Sequence, residues 1–383
     1  MIDGCGSRAT VHRISAFAML LAVTVAAASQ RSHAAELSDA AARQMIADLG
    51  LIESPTPIRE TSGWRKPQRV LAWRASPEVR AALREVAPGA EIVTAETAAD
   101  YASAAANADV VLGPCQAAMV SAAKNVSWLQ SFSAGVENCV SQEPIRDGRM
   151  LLTNMQRIGA PVMADHVMAM LLAFSRNLPV YFDAQKQSKW LGQGDAGGEF
   201  GLSGKTMFIA GLGGTGLEIA KRAHGFGMRV TGTRNTKRDA PDYVSYVGLP
   251  DELPRLVAEA DVVVNALPLT AETRGLFNAK TFGAMKKGAR FFNVGRGATV
   301  VTQDLVEALR SGRLAGAGLD VMDPEPLPGD HPLWGMSNVI ITPHMAADAD
   351  EFGHVRWLLA RENLRRYVKG DRLLSVVDPE RGY

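Results

Sequence analysis

Three polar side chains in the second half of the chain have the types needed for acid–base chemistry on a small anionic substrate. Arg296 lies in the sequence NVGRG, Glu325 in DPEP and His344 in TPH. Histidine is the usual proton donor near neutral pH, and a carboxylate beside it would favour the imidazolium and hold the ring. An arginine fork would bind a substrate carboxylate and polarise a neighbouring carbonyl. Taken singly, each residue also has a structural interpretation, as a loop cation, a turn acid and a helix-start residue.

A glycine-rich turn precedes these residues in the chain. The sequence GLGGTG, residues 211–216, matches Gly-x-Gly-x-x-Gly between a predicted strand and a predicted helix. Gly211 would permit the tight turn, Gly213 would let the backbone approach a pyrophosphate, and Gly216 would let helix and strand pack closely. The pyrophosphate would face the helix N-terminus. This context favours dinucleotide binding over a purely structural glycine-rich turn.

The residues after the next predicted strand favour NADP as the cofactor. In NAD enzymes an acidic residue about 20 residues beyond the fingerprint binds the adenosine ribose. Here the sequence from Thr233 reads TRNTKR and contains no acid. Arg234 could bind a 2′-phosphate through charge-assisted hydrogen bonds, whereas a carboxylate would repel it. Because a surface arginine is often simply solvated, NAD stays the alternative.

Apolar runs alternate with helical stretches along most of the chain, and this alternation predicts α/β units with parallel sheets. In the first unit we predict strands at 69–73, 91–94, 109–112 and 128–132. In the second unit we predict strands at 205–210, 229–233, 261–266, 290–294, 316–320 and 339–342. Arg296, Glu325 and His344 follow the last three strands, where open α/β sheets place their ligands. Their joint placement downstream of the fingerprint favours a catalytic role.

The predicted fold class is therefore α/β, with two Rossmann-like, doubly wound parallel-sheet domains and the active site in the cleft between them. A helical stretch at 160–177 is expected to bridge the domains, and a last one at 351–369 is expected to pack back on the first. The substrate domain would then be discontinuous. We assign 35–66 to a leader or linker, 67–159 plus 355–383 to the substrate domain, and 160–354 to the NAD(P)-binding domain.

The N-terminal residues have the three parts of an export signal. Arg8 and Arg13 precede an apolar run at 14–28, and the small-residue pattern SHA ends at Ala34. The run is too short for a comfortable membrane span. We predict a signal peptide at 1–34 and a periplasmic protein with no integral membrane segment in the mature chain. The alternative is translation from Met45 and a cytoplasmic protein.

The bulk composition excludes some classes of partner. The chain has 41 basic and 40 acidic residues and a net charge of +1, which provides no electrostatic footprint for nucleic acid. A small-molecule partner fits better. Of the three cysteines, Cys5 would leave with the signal, so Cys115 and Cys139 remain. Two cysteines in a chain this long are more often independent thiols than a bridge, so independent thiols are expected here, with a Cys115–Cys139 disulfide in an oxidising compartment as the alternative.

Residues from about 70 to 378 resemble the D-isomer-specific 2-hydroxyacid dehydrogenase family, near its glyoxylate/hydroxypyruvate reductase branch. The matching segments are GLGGTG, LPLTAET, NVGRG, GLDV followed by EP, and TPH, in the family's order and spacing. The resemblance implies a homodimeric enzyme that transfers hydride between NADP(H) or NAD(H) and a small 2-oxo or D-2-hydroxy acid. The alternatives are a non-catalytic, redox-sensing dinucleotide-binding protein and an oxidoreductase acting on formate or phosphonate.

The resemblance also implies roles for individual residues. Arg296 would bind and polarise the 2-oxo acid, Glu325 would pair with His344, and His344 would donate the proton. The substrate carboxylate would contact the backbone of Ser133, Ala134, Gly135 and Val136. The cofactor-binding set would be Gly211, Gly213, Gly214, Thr215, Gly216, Thr233, Arg234, Leu267, Pro268, Thr273, Val294, Gly295 and Asp320, the last at the nicotinamide carboxamide.

Two segments depart from the family pattern. Met345–Asp348 follows His344 where small residues or threonine are usual. Asp165-His166 stands where the family more often has Ala-Glu-His. The choice of substrate is therefore open.

Overall fold

The computed structural model of the chain describes residues 37–192, 194–350 and 352–382. The predicted export signal at 1–34 lies outside these residues. The described part forms two compact units. One contains the residues up to Gln130 together with Gly353–Leu374, and the other contains Ser131–Phe352 together with the residues from Ser375 onward. The limits of the substrate and cofactor domains stay a prediction.

The secondary structure alternates between helices and strands, as the apolar pattern predicts. The helices are α1 (Asp39–Leu49), α2 (Pro77–Val86), α3 (Ala98–Ala105), α4 (Ala117–Ala122), α5 (Glu137–Val140), α6 (Glu143–Arg146), α7 (Ala160–Ser175), α8 (Leu178–Lys186), α9 (Gly214–Gly225), α10 (Leu253–Glu259), α11 (Ala279–Ala284), α12 (Thr302–Arg310) and α13 (Phe352–Lys369). Short 3₁₀ turns lie at Ile58–Glu60, Pro250–Glu252, Gly297–Thr299 and Pro332–Gly335. The strands are β1 (Arg69–Trp73), β2 (Glu91–Ala95), β3 (Val110–Gly113), β4 (Trp128–Ser131), β5 (Leu151–Thr153), β6 (Thr206–Ala210), β7 (Arg229–Thr233), β8 (Tyr246–Gly248), β9 (Val262–Asn265), β10 (Ala289–Asn293), β11 (Leu314–Leu319) and β12 (Val339–Ile341).

The strands form two sheets. The five-stranded sheet has the order β2-β1-β3-β4-β5, with β1 parallel to both β2 and β3. The seven-stranded sheet has the order β12-β11-β10-β9-β6-β7-β8, and every neighbouring pair is parallel. The chain leaves β6 toward β7 and β8 and returns to β9 on the other side of β6. The predicted fold class, two parallel α/β sheets, is confirmed.

The seven-stranded sheet is covered by helices on both faces. Side chains of a strand alternate between the faces, so Phe208 and Ala210 pack in one core with α10, α11 and α12. Met207 and Ile209 pack in the other core with α7 and α9. Because the strands are buried on both faces, they read in the sequence as continuous apolar runs.

The structure adds elements that the sequence pattern missed. β5 and β8 are three-residue strands at the edges of their sheets, too short to give a periodic signal. The helix predicted at 160–177 ends at Ser175, and Asn177 adopts a left-handed φ of 52°. A further helix, α8, then begins with Pro179 in its first turn, where the missing N–H costs nothing.

The cysteine prediction is corrected by the structure. Cys115 and Cys139 are both disulfide-bonded, although independent thiols were expected. Spacing along the sequence does not give the distance between sulfur atoms in the fold, and neither cysteine lies in a Cys-x-x-Cys motif. No helix among the described residues is long and apolar enough to span a bilayer.

Candidate active site

The glycine-rich turn lies between β6 and α9, as predicted. Gly211 has a left-handed φ of 94°, which glycine adopts without strain. A Cβ at Gly216 would collide with the carbonyl oxygen of Gly211, so a side chain there would separate helix from turn. Gly213 is the N-cap residue of α9, and no atom lies within 4 Å of the position of its Cβ. The turn therefore leaves open space before a helix N-terminus, which suits a pyrophosphate.

The turn lies where the strand order of the seven-stranded sheet reverses, between β6 and β9. A Cβ at Gly211 would lie 3.1 Å from both the Ala266 carbonyl oxygen and Leu267 Cδ2, in the segment after β9. A Cβ at Gly295, after β10, would lie 2.6 Å from the Leu267 carbonyl oxygen. The segments after three neighbouring strands therefore pack closely. Such a crevice at the carboxyl ends of the strands is where doubly wound folds bind dinucleotides, so the residues present fit the cofactor.

The predicted ribose-binding residues follow the next strand of the sheet. Thr233 is the last residue of β7, and its carbonyl oxygen accepts the Leu212 N–H at 2.9 Å. Arg234 Nε donates to the Leu212 carbonyl at 3.0 Å, and its Nη1 pairs with Asp239 Oδ1 at 3.0 Å. The guanidinium is thus fixed to the glycine-rich turn. This placement agrees with a role for Arg234 at the adenosine end of a dinucleotide.

Other predicted cofactor residues shape the same crevice. Thr273 Oγ1 donates to the Pro268 carbonyl at 2.7 Å and closes the loop after β9. Thr215, in the first turn of α9, contacts Met163 Sδ of α7 through its hydroxyl at 3.8 Å. Val294 N–H donates to the Asn265 carbonyl at 3.1 Å.

His344 and Glu325 form the pair that the sequence predicted. His344 Nδ1 lies 2.8 Å from Glu325 Oε2, and the other carboxylate oxygen accepts the Met322 N–H at 2.9 Å. His344 has a φ of 53°, a left-handed conformation that costs energy for a residue with a side chain. The imidazole is 53% exposed. A histidine held in this way, with one nitrogen bound and the other end toward solvent, suits proton transfer to a ligand.

Asp320 holds the loop that carries His344. Its carboxylate is 2% exposed. Oδ1 accepts the Thr342 hydroxyl at 2.7 Å and the Met345 N–H at 2.9 Å, and Oδ2 accepts the Ala346 N–H at 3.1 Å. The Asp320 carbonyl also accepts the His344 N–H at 2.8 Å. Contact between Asp320 and the nicotinamide stays a prediction.

The two unusual residues of α7 have partners in the same unit. His166 Nε2 lies 2.9 Å from Thr342 Oγ1. Because the Thr342 hydroxyl donates its proton to Asp320, its oxygen accepts from His166. Asp165 Oδ1 pairs with Arg222 Nε of α9 at 2.5 Å. His166 therefore extends the support of the histidine loop, and Asp165 joins α7 to α9.

Arg296 is held by an acid that the sequence reading missed. Its Nε donates to Glu137 Oε1 at 2.8 Å, and its Nη1 donates to the Gly295 carbonyl at 2.7 Å. A Cβ at Gly135 would collide with Arg296 Nη2. The guanidinium thus lies directly against the segment predicted to bind the substrate carboxylate. The only sequence signal was an acid immediately after Val136.

A buried polar cluster fixes the backbone of Arg296. Asn265 Nδ2, at the end of β9, donates to Asn293 Oδ1 at 2.8 Å and to Thr299 Oγ1 at 2.6 Å. Thr299 Oγ1 in turn donates to the Arg296 carbonyl at 2.6 Å. Asn265 and Asn293 are at most 1% exposed. Polar residues that close otherwise apolar strands, as in VVVN and RFFN, were the signal that could have identified them.

Contacts connect the arginine loop to the histidine pair. A Cβ at Gly297 would collide with the carbonyl oxygen of Met322, the residue whose N–H binds Glu325. The loops after β10, β11 and β12 are therefore packed in series. The structure thus brings the loops of all three predicted catalytic residues together.

The predicted substrate segment, Ser133 to Val136, follows β4 and leads into α5. Its first two residues are held by Asn154, whose Nδ2 donates to the Ala134 carbonyl at 2.8 Å, and by the Met155 N–H, which donates to the Ser133 carbonyl at 3.1 Å. Ser133 and Ala134 are exposed, and Val136 is buried. In the described part of the chain no group of three or more histidine, cysteine or acidic side chains could hold a metal ion.

The comparisons with known proteins agree with this site. The sequence model of a protein family, described as D-isomer specific 2-hydroxyacid dehydrogenase, NAD binding domain, matches residues 168–346. A curated relative, glyoxylate/hydroxypyruvate reductase B of Salmonella heidelberg, is 34% identical over 291 residues, which cover 74% of this chain and 89% of the relative.

Solved structures of D-isomer specific 2-hydroxyacid dehydrogenases resemble this chain over most of its length. A D-isomer specific 2-hydroxyacid dehydrogenase from Xanthobacter autotrophicus Py2, in complex with NADPH and MES, is 30% identical with a TM-score of 0.69 and covers 82% of this chain and 99% of its own. An NADPH-dependent glyoxylate/hydroxypyruvate reductase from Sinorhizobium meliloti, in complex with NADP and sulfate, is 28% identical with a TM-score of 0.71 and covers 82% of this chain and 100% of its own. The chain belongs to the D-isomer specific 2-hydroxyacid dehydrogenase family.

Proposed function

We propose that the protein reduces a small 2-oxo acid, such as glyoxylate or hydroxypyruvate, to the D-2-hydroxy acid with NADPH. The observation that carries the proposal is the hydrogen bond between His344 and Glu325, packed in series with the loop of Arg296. The curated relative in Salmonella heidelberg is named glyoxylate/hydroxypyruvate reductase B. A non-catalytic redox sensor would need none of these three side chains in this arrangement, so the structure favours the enzyme.

The geometry assigns a task to each side chain. A bound nicotinamide dinucleotide would supply the hydride. Because a carboxylate only accepts hydrogen bonds, Nδ1 of His344 carries the proton shared with Glu325, and Nε2 is left to protonate the substrate oxygen. Arg296, held by Glu137, neutralises the substrate carboxylate and the charge that develops on the carbonyl oxygen. The backbone beside Gly135 would complete the carboxylate site.

NADP is the favoured cofactor, with NAD as the alternative. The guanidinium of Arg234 is fixed against the glycine-rich turn, where the charge can bind a 2′-phosphate. The relatives from Xanthobacter autotrophicus Py2 and Sinorhizobium meliloti are in complex with NADPH and NADP. The segment TRNTKR after β7 contains no acid, and a bound 2′-phosphate would replace Asp239 as the partner of Arg234 Nη1.

The test is a steady-state assay of the purified full-length protein with glyoxylate, hydroxypyruvate, pyruvate and larger 2-oxo acids, each with NADPH and NADH. We expect turnover of at least one small 2-oxo acid, a D-configured product where the product is chiral, and a higher kcat/KM with NADPH. His344→Ala is the control that separates this activity from a contaminating reductase. Absence of turnover across the panel would contradict the proposal.

We also propose that the mature protein is exported. Two observations support this. Cys115 and Cys139 are disulfide-bonded, as proteins of oxidising compartments often are. Met45 lies buried within α1, whose N-cap is Ser38 and whose Asp39 pairs with Arg361, so translation from Met45 would remove half of a packed helix. Fractionation of the native host with N-terminal sequencing tests this, and a mature chain beginning at Met45 would refute it.

A homodimer is proposed from the family resemblance. Light scattering coupled to size exclusion would measure the mass of the purified protein against the 40.9 kDa of the full chain. A monomer at micromolar concentration would contradict the proposal.

A further inference from the structure

Arg157 fills the space beside the first turn of the dinucleotide-binding helix. Gly214 is the first residue of α9 and has no side chain. A Cβ there would lie 2.6 Å from Cγ of Arg157. The aliphatic stem of Arg157 therefore occupies the volume that a side chain at position 214 would take. The arginine comes from the loop before α7, 57 residues earlier in the chain by their numbering (214 − 157).

The backbone of that loop is held in a costly conformation. Arg157 has a φ of 72°, in the left-handed region that residues with a side chain rarely adopt. Two hydrogen bonds close the loop around it, from the Ile158 N–H to the Met155 carbonyl at 3.2 Å and from the Ala160 N–H to the Arg157 carbonyl at 3.1 Å. Strained residues of this kind concentrate at binding and catalytic sites, where the strain places a side chain.

The guanidinium of Arg157 is half-buried and lies near a second cation. Burial lowers the pKa of its guanidinium, and the nearby positive charge of Arg234 lowers it further. Two cations have thus been placed on the same glycine-rich turn, Arg157 on Gly214 and Arg234 on the carbonyl of Leu212. A phosphate anion bound near this turn would be attracted by both guanidinium groups.

We infer that Arg157 binds the pyrophosphate of the dinucleotide. The inference rests on the proposed function. The aliphatic stem of Arg157 packs on the first residue of α9, and the N-terminus of this helix would face the pyrophosphate. Arg234 follows the next strand, β7, where the adenosine ribose would bind. The two arginines would therefore bind different phosphate groups of one NADPH molecule, Arg157 the pyrophosphate and Arg234 the 2′-phosphate.

Nucleotide binding to two variants separates these assignments. Arg157→Met keeps the stem and removes the charge, and Arg234→Met does the same at the ribose. Calorimetry would measure the affinity of NADPH, NADH, ADP-ribose and 2′,5′-ADP for each purified protein. ADP-ribose has the pyrophosphate without the 2′-phosphate, and 2′,5′-ADP has the 2′-phosphate and a single 5′-phosphate in place of the pyrophosphate. No turnover is needed for this readout.

We expect Arg157→Met to weaken the binding of NADPH, NADH and ADP-ribose by about tenfold or more, the size of a lost charged hydrogen bond. The binding of 2′,5′-ADP, which keeps only one phosphate of the pyrophosphate, should weaken less. We expect Arg234→Met to weaken the binding of NADPH and 2′,5′-ADP and to leave the binding of NADH and ADP-ribose unchanged. Arg157→Lys should recover part of the lost affinity because it restores the charge. Arg229→Met, at the opposite end of β7 and paired with Glu259, is the matched control and should bind like wild type.

Three outcomes would overturn the inference. Unchanged ADP-ribose affinity in Arg157→Met would show that the charge does not contact the pyrophosphate. Selective loss of 2′,5′-ADP binding would move Arg157 to the 2′-phosphate. A lowered melting temperature of the unliganded variant with equal weakening of all four ligands would assign it a purely structural role. If the wild type bound no nucleotide, the proposed function itself would fail.

Discussion

The guanidinium of Arg296 packs directly against Gly135 and occupies the position that a side chain at residue 135 would take. The hydrogen bond from Arg296 Nε to Glu137 Oε1 fixes the other edge of the guanidinium at 2.8 Å. The Ser133–Val136 segment therefore orients the arginine in addition to any contact of its own with the substrate.

Gly135→Ala should impair substrate binding by displacing the guanidinium. We expect KM for the 2-oxo acid to rise about tenfold or more, since a misplaced charge loses a charge-assisted hydrogen bond. The affinity for NADPH should change little. Steady-state kinetics and nucleotide titration measure both. Gly201→Ala is the control, because Gly201 belongs to the same unit, has no atom within 4 Å of its Cβ position and should behave as wild type. Unchanged kinetics of Gly135→Ala would refute the contact.

Thr299→Val should destabilise the loop of Arg296, because the Thr299 hydroxyl holds the Arg296 carbonyl. The valine keeps the shape but removes the hydroxyl, which leaves the Arg296 carbonyl without one donor and Asn265 without one acceptor. An unsatisfied buried polar group costs about 1–3 kcal/mol of unfolding free energy. We expect that loss in urea denaturation together with a raised KM. Thr302→Val, which removes an exposed hydroxyl bond to the Asp323 carbonyl, should cost much less. Equal losses in the two variants would contradict the role of the buried cluster.

The grouping of the three candidate catalytic residues could be predicted from the sequence, whereas the residues that support them could not. Arg296, Glu325 and His344 all follow strands of one parallel sheet, and the carboxyl ends of such strands meet at one edge, so order along the chain was enough to group them. Glu137 is 159 residues from Arg296, and nothing in its local sequence indicates a partner. Thr299 and His166 likewise gain their meaning only from tertiary contacts.

The same distinction holds for the fold. Strands buried on both faces are continuous apolar runs, so β6, β9 and β10 were predicted within one or two residues of their observed limits. β5 and β8 are edge strands of three residues, and pairing with a neighbour rather than any internal pattern defines them.

Glu362 should make the stability of its unit sensitive to acid. The side chain is 4% exposed and accepts hydrogen bonds from Arg365 Nε at 2.7 Å and Arg366 Nε at 2.6 Å. Burial alone would raise its pKa, but the two arginines outweigh burial and lower it below the ordinary 4.5. A carboxyl with a lowered folded pKa stabilises the fold above its unfolded pKa, and that contribution is lost as pH falls from about 4.5 through the folded value.

Glu362→Gln should therefore lower the unfolding free energy at pH 7 by about 3 kcal/mol, because Arg365 loses its hydrogen-bonded counter-charge and Arg366 keeps only Glu53. The variant should also lose less stability than wild type between pH 5 and about pH 3. Urea denaturation at both pH values measures this. The control is Glu60→Gln, an exposed acid in the same unit. A variant as stable as wild type at pH 7 would refute the role of the pair.

Asp320→Asn should impair catalysis through the loop of His344. Asparagine has a single acceptor oxygen, whereas Asp320 accepts the Met345 and Ala346 N–H groups and the Thr342 hydroxyl with two. At least one of these bonds must be lost, and His344 would leave its strained conformation beside Glu325. We expect kcat to fall about tenfold or more with NADPH affinity nearly unchanged. A fall in NADPH affinity instead would favour the contact with the nicotinamide carboxamide that the resemblance implies. Wild-type kcat would show that the carboxylate does not position the proton donor.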